Sequence, residues 1–100
     1  MEVRIQSLNF EATEKLQSFI QKKVQKLERF YDNIAQVEVV LKVVKPETSK
    51  NKEAGIKVFP SSGGEFYANK ICDSFEQAVD ESLLAIERQL VKHKEKQRNL

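Results

Sequence analysis

The spacing of apolar residues changes abruptly near residue 33, and that change limits the folds open to this chain. From Leu16 to Tyr31 the apolar positions Leu16, Phe19, Ile20, Val24, Leu27 and Tyr31 recur at intervals of three and four. That is the period of a helix with one buried stripe. From Ile34 onward, "IAQVEVVLKVV" alternates at intervals of two. Val37, Val39, Leu41 and Val43 fall on one face of a strand and Glu38, Val40 and Lys42 on the other. Thr13 is placed to cap the helix at its start, and the "DN" after Tyr31 breaks it.

The same test extends in both directions. "VRIQSLNF" alternates, with Val3 and Ile5 on one face. "AGIKVFP" places Ala54, Ile56 and Val58 on one side of a third strand, "SSGG" is a turn, and "EFYANKI" is a fourth strand. "KPETSKNKE" between the second and third strands reads as a polar loop, with residues 45–53 expected to be the most mobile internal segment. The last segment returns to helical spacing, with Phe75, Val79, Leu83, Ile86 and Leu90 as its buried stripe. Asp73 with Glu76, or Ser74 with Gln77, has the spacing of a capping box.

The order β-α-β-β-β-α predicts an α+β fold. Two helices pack on one face of a four-stranded, mostly antiparallel sheet. The other sheet face is left wet, which suits Glu38, Lys42 and Lys57. With 100 residues, 40% hydrophobic and 32% charged, the chain fits one small folded domain, residues 1–100, rather than a disordered segment. Its basic end, 92–100, is expected to fray. No apolar run approaches the roughly 20 residues needed to cross a bilayer, and "MEVRIQSLNF" does not read as a signal peptide. The lone Cys72 suits a reducing cytosol.

Nothing in the chain reads as catalytic. His93 and Cys72 are the only residues of their types, and neither has a partner at metal-ligand spacing. His93 follows Ile86 by seven and extends the buried stripe, which suits a capping or stacking role. "SSGG" lacks the Lys-Ser/Thr of a phosphate-cradling loop. Asp80 and Glu81 are adjacent on a helix and diverge. No enzyme activity, cofactor or small-molecule substrate is expected.

The charge distribution is more informative than its total. The net charge is +2. Lys15, Lys22, Lys23, Lys26 and Arg29 against Glu28 make a local +4, and Arg88, Lys92, Lys94, Lys96 and Arg98 against Glu95 make another, so the remainder carries −6. Lys22, Lys26 and Arg29 form one stripe beside the apolar face of the first helix. Lys23 lies at the margin of the buried stripe, its stem over the core and its ammonium reaching out. Arg88, Lys92 and Lys96 repeat at four, and Lys94 lies on a different flank. Helix dipoles favour a cation or two in a last turn, and lysine-rich faces are often simply solvated. The dipole does not account for Lys22 and Lys23, read as lying within the helix. Two basic stripes joined on one sheet face match phosphates along a nucleic-acid backbone. Phe59 and Tyr67 are expected to face outward from the sheet, and Leu84 and Val91 fall opposite the core stripe.

Two segments also carry a family resemblance. "GGEFYANKICDSFEQAVDESLLAIERQLVKHK" resembles the end of the short ribosome hibernation-promoting factors, also called the ribosome-associated inhibitor or sigma-54 modulation protein family. Those proteins run from a glycine turn and a strand into a helix with a "LERQLxKxK"-like end, here Ile86 to Lys94. "VRIQSLNFEATEKLQSFIQKKVQKLERF" is similar to the family's first strand and helix, including Thr13 and "KKVQKLE". Two features depart from the pattern. Ser74, Phe75 and Glu76 stand where the family often has Asp-Met-Tyr, and the sequence ends at residue 100 without the second, dimerising domain of the long forms.

The resemblance implies a fold like a double-stranded-RNA-binding domain with an added first strand. It implies a bacterial, cytoplasmic protein that binds the small ribosomal subunit and its rRNA in the mRNA and tRNA channel and inhibits translation in stationary phase or stress. By position, Lys22, Lys23, Lys26, Arg29, Arg88, Lys92 and Lys94 are the rRNA-binding residues. A general double-stranded-RNA binder and a protein-interaction module docking through Leu84 and Val91 are the alternatives. The residues leave both a monomer and a homodimer open, and nothing in them supports contact with a sigma factor.

Overall fold

A computed structural model describes residues 1–29, 31–44 and 50–98, with side chains through Lys94. The elements follow the expected order. They are β1 (Glu2–Leu8), α1 (Glu14–Gln25), a 3-10 turn (Lys26–Arg29), β2 (Ile34–Val43), β3 (Lys52–Pro60), β4 (Phe66–Cys72) and α2 (Phe75–Arg98). The sheet order is β1-β2-β3-β4. β1 pairs parallel to β2, while β2–β3 and β3–β4 are antiparallel. A parallel pair cannot be closed by a tight turn, and α1 supplies the crossover.

Both helices contribute to one core on one face of the sheet. Leu16, Ile20 and Val24 of α1 and Ala78, Val79, Leu83, Ile86 and Leu90 of α2 are buried with Val37, Val39, Leu41, Ala54, Ile56 and Val58. The apolar stripes read from the sequence therefore converge. Small residues let α2 lie close to the sheet. Ala78 and Ser82 sit on the helix and Ala54 and Ala68 on the strands, and all four are buried. The Ser82 hydroxyl donates to the Ala54 carbonyl oxygen at 2.9 Å, which satisfies a buried polar group that would otherwise cost about 1–3 kcal/mol. Gln89 ties the same helix to the edge strand, its Nε2 donating to the Tyr67 carbonyl at 2.8 Å.

The caps follow from side-chain chemistry. Thr13 Oγ1 accepts from the Leu16 amide at 3.1 Å. Of the two caps open to α2, Ser74 is used, its Oγ accepting from the Gln77 amide at 3.2 Å. Phe75 then stacks on Phe10 with ring centroids 4.5 Å apart, pinning the β1–α1 connection to the start of α2.

Two details differ from expectation. The first helix does not continue as an α-helix to Tyr31. It tightens after Gln25, where the Lys26 amide donates to both the Lys23 and Val24 carbonyls. Such tightening is common in last turns, and Asn33, at φ 65°, completes the break. β3 begins at Lys52 rather than Ala54, because the buried Asn51 already accepts the Val44 amide on its carbonyl at 2.8 Å. Of the segment expected to be mobile, Lys52 and Glu53 thus belong to the sheet, and residues 45–49 lie outside the described residues. α2 runs to Arg98, and residues 99 and 100 lie outside the described residues.

The outward sheet face shows the expected polar pattern. In adjacent rows, Arg4 sits beside Glu38, which sits beside Lys57, and Lys42 sits beside Glu53. Tyr67 is half-exposed on this face, while Phe59 is partly buried.

Candidate nucleic-acid interface

The basic residues of the first helix are arranged by its change of geometry. Lys22 is exposed on α1, beside a shallow depression lined by Glu14, Gln17, Ser18 and Gln21. Lys26 and Arg29 open and close the 3-10 turn, and both are exposed. In a 3-10 turn residues i and i+3 eclipse. These two cations therefore line up on one edge while Leu27 between them is buried. α1 ends at Gln25, so Lys22 and Lys23 fall in its last turn, where the helix dipole favours cations, contrary to the expectation that they sit within the helix.

Lys23 behaves differently. Its Nζ lies 3.2 Å from Asp80 Oδ1 on α2 and 5.4 Å from the centroid of the Phe19 ring. The stem runs over apolar surface, as expected for a residue at the margin of the core. The ammonium is engaged by α2 rather than standing free. The pair spans the two helices, with side chains 34% and 46% exposed.

On α2, Arg88 and Lys92 are exposed one turn apart. Among the described residues only Arg4–Glu2, Lys23–Asp80 and Lys57–Glu65 form ion pairs. Lys22, Lys26, Arg29, Arg88 and Lys92 are exposed and make no ion pair among the described residues. Lys94 is set apart from these five. It lines a cavity of about 530 Å3 with Tyr31, Asp32, Asn33, Ser61 and Ser62. Lys96 carries no described side chain.

His93 takes the stacking role read from its position. Its ring lies 5.3 Å from Phe66 and 5.8 Å from Tyr31, centroid to centroid. It anchors the basic end of α2 on the sheet and on the chain leaving the first helix. Cys72 is buried, with its Sγ 3.3 Å from Glu81 Oε2. Burial pushes its thiol pKa up, and the bond to Glu81 adds to the shift. A thiol kept protonated is a poor nucleophile and metal ligand. Asp80 and Glu81 do diverge, one reaching Lys23 and the other Cys72 and Gln77. Among the described residues no group of three or more His, Cys, Asp or Glu is placed to hold a metal. Among the described residues no helix is long and apolar enough to cross a membrane.

Sequence reasoning found the cations but missed what Asp80, Ser82 and Gln89 touch. Ser82 carried one legible signal, a polar residue inside the apolar stripe of α2. Asp80 and Gln89 carried none, because their partners lie on other elements.

Known proteins share both the sequence and the fold. Over 96 residues, 96% of each chain, the sequence is 38% identical to a ribosome hibernation promoting factor of Escherichia coli strain K12. It is 37% identical to one from Azotobacter vinelandii over 98 residues, 97% of this chain and 86% of the relative. The fold matches a ribosomal subunit interface protein from Coxiella burnetii, with TM-score 0.82 at 19% identity over 94% of this chain and 98% of that one. It also matches the N-terminal domain of Thermus thermophilus Protein Y, with TM-score 0.79 at 23% identity over 93% and 99%. The family model described as sigma 54 modulation protein / S30EA ribosomal protein matches residues 3–98, and the chain belongs to that family.

Proposed function

We propose that this chain is a ribosome hibernation factor of the cytoplasm, which binds the small ribosomal subunit through its helical face and blocks translation by occupancy. The observation that carries this reading is the grouping of Lys22, Lys26, Arg29, Arg88 and Lys92 on the helical side with no ion-pair partner among the described residues. Cations left unpaired on a rigid frame suit phosphates fixed in folded RNA. Relatives more than a third identical over nearly the whole chain carry the name ribosome hibernation promoting factor. The fold resemblance to a ribosomal subunit interface protein supports the same frame.

The mechanism needs no bond making. A narrow basic body in the mRNA and tRNA channel excludes both ligands. Lysine and arginine supply affinity, and the shape of the folded rRNA supplies selectivity. Lys94, with the adjacent cavity, extends the contact to the end of the molecule where Tyr31, Phe66 and His93 cluster.

Sedimentation of a stationary-phase extract tests this directly. The chain should travel with small subunits or whole ribosomes, and the purified chain should inhibit translation in vitro. If about six phosphates are contacted, log affinity should fall with log salt at a slope of about −4 to −5. A flat salt response, with the chain at the top of the gradient, would favour docking on a protein through Leu84 and Val91, both of which are exposed.

A further inference from the structure

The groove between the two helices is not uniformly basic. Lys23, Lys26, Asp80, Leu83, Leu84 and Glu87 line a cleft of about 360 Å3. Asp80, Leu84 and Glu87 are spaced by four and three and share one face of α2. Two carboxylates therefore sit in the cleft with two cations, and its floor carries no net charge. Outside it stand Lys22 on α1 and Arg88 and Lys92 on α2, which make no ion pair among the described residues. A helix clamp accounts for Asp80, which meets Lys23 at 3.2 Å. It does not account for Glu87, which makes no ion pair among the described residues.

Any basic cleft attracts any nucleic-acid backbone, because phosphate contacts carry no sequence information. A carboxylate facing a phosphate is repulsive, and repulsion against wrong partners is one of the two ways to gain specificity. Resting on the proposal that the helical face binds RNA, we infer that Asp80 and Glu87 are specificity determinants that keep an RNA strand out of the helix–helix groove. The flanks then form two separate phosphate tracks. Folded RNA that presents phosphates to both flanks is accepted, and a plain A-form duplex or single strand that would settle into the groove is disfavoured.

The test compares the parent with Asp80→Asn, Glu87→Gln and the double variant. Affinity is measured across a salt series for purified small subunits and for an RNA duplex of arbitrary sequence, about 16 base pairs long, the span of a double-stranded-RNA-binding domain. The double variant should bind the duplex roughly fivefold more tightly, a gain typical of removing exposed charges. Its salt slope for the duplex should steepen by about one for each phosphate newly admitted. The ratio of subunit to duplex affinity should fall at least about threefold. Glu87→Gln should show part of the gain even when combined with Lys23→Gln, which separates lost repulsion from a freed lysine. Glu87 has no ion pair to lose among the described residues, so its variant carries the test if Asp80→Asn lowers thermal stability. A parent that binds subunits, beside folded variants that keep its selectivity ratio and salt slope, overturns the inference alone. Weaker duplex binding in the variants also overturns it and makes the carboxylates positioning groups. A parent that binds no RNA overturns both this inference and the RNA-binding proposal.

Discussion

The two faces of the sheet handle charge in opposite ways. On the open face, cations and carboxylates interleave across strands. Arg4, Glu38 and Lys57 form one row, Lys42 and Glu53 form another, and Lys57 also reaches Glu65 at 3.8 Å. On the helical side, Lys22, Lys26, Arg29, Arg88 and Lys92 have no ion-pair partner among the described residues. Cross-strand alternation neutralises a surface and keeps it soluble without attracting an anion. Grouped cations keep a field that reaches about one Debye length, roughly 8 Å at physiological salt. On the proposed reading, local charge order separates an RNA-facing side from a solvated one in a chain whose net charge is only +2.

Matched charge reversals give the largest expected break in that contrast. Lys22→Glu with Lys26→Glu and Arg88→Glu should weaken small-subunit binding by at least about a hundredfold near physiological salt. Arg4→Glu with Lys42→Glu and Lys57→Glu changes the net charge by the same amount and should cost less than about threefold. Equal losses in a filter-binding assay would mean that total charge matters and location does not.

Within the helical side, Arg88 and Lys23 should separate. Arg88→Gln is expected to cost about fivefold in affinity, while Lys23→Gln should cost about twofold, because Asp80 already offsets part of its charge. Equal effects would place Lys23 on the RNA in the bound state.

Much of the fold was legible because it rests on local periodicity. The alternation from Ile34 to Val43 names Val37, Val39 and Leu41 correctly, and the three–four spacing names Leu16, Ile20, Val24 and Leu27, while Val43 and Phe19 are only partly buried. The caps at Thr13 and Ser74 follow from side chains three residues from the amides they accept. Contacts between elements distant in the chain were not legible. Lys23 gave a correct signal, its place at the margin of the core, but its partner Asp80 depends on how α2 crosses α1. Ser82 looked like an ordinary polar residue until the Ala54 carbonyl was brought against it. The early start of β3 depends on Asn51, whose burial contradicts its polar neighbourhood in the sequence. The basic stripes were legible as residues, and their separation by a neutral groove was not.

Smaller effects should follow the same division between faces. Ser82→Ala, at the seat of α2 on the sheet, should lower unfolding free energy by about 1 kcal/mol in a urea titration. Gly55→Ala on the open face should cost less than about 1 kcal/mol. A new Cβ there would meet the Tyr67 hydroxyl at 3.0 Å, and that is the tip of a half-exposed side chain free to swing. A loss above about 2 kcal/mol at Gly55 would show that the open face is packed more rigidly than its exposure implies.

Amine-labelling protection, with mass spectrometry of each lysine in the free chain and in the chain saturated with small subunits, tests the central claim most directly. Lys22 and Lys92 on the helical side should become protected, while Lys42 and Lys57 on the open sheet face should label at unchanged rates. Protection of Lys42 and Lys57, with Lys22 and Lys92 still reactive, would place the ribosome on the opposite face and contradict this account.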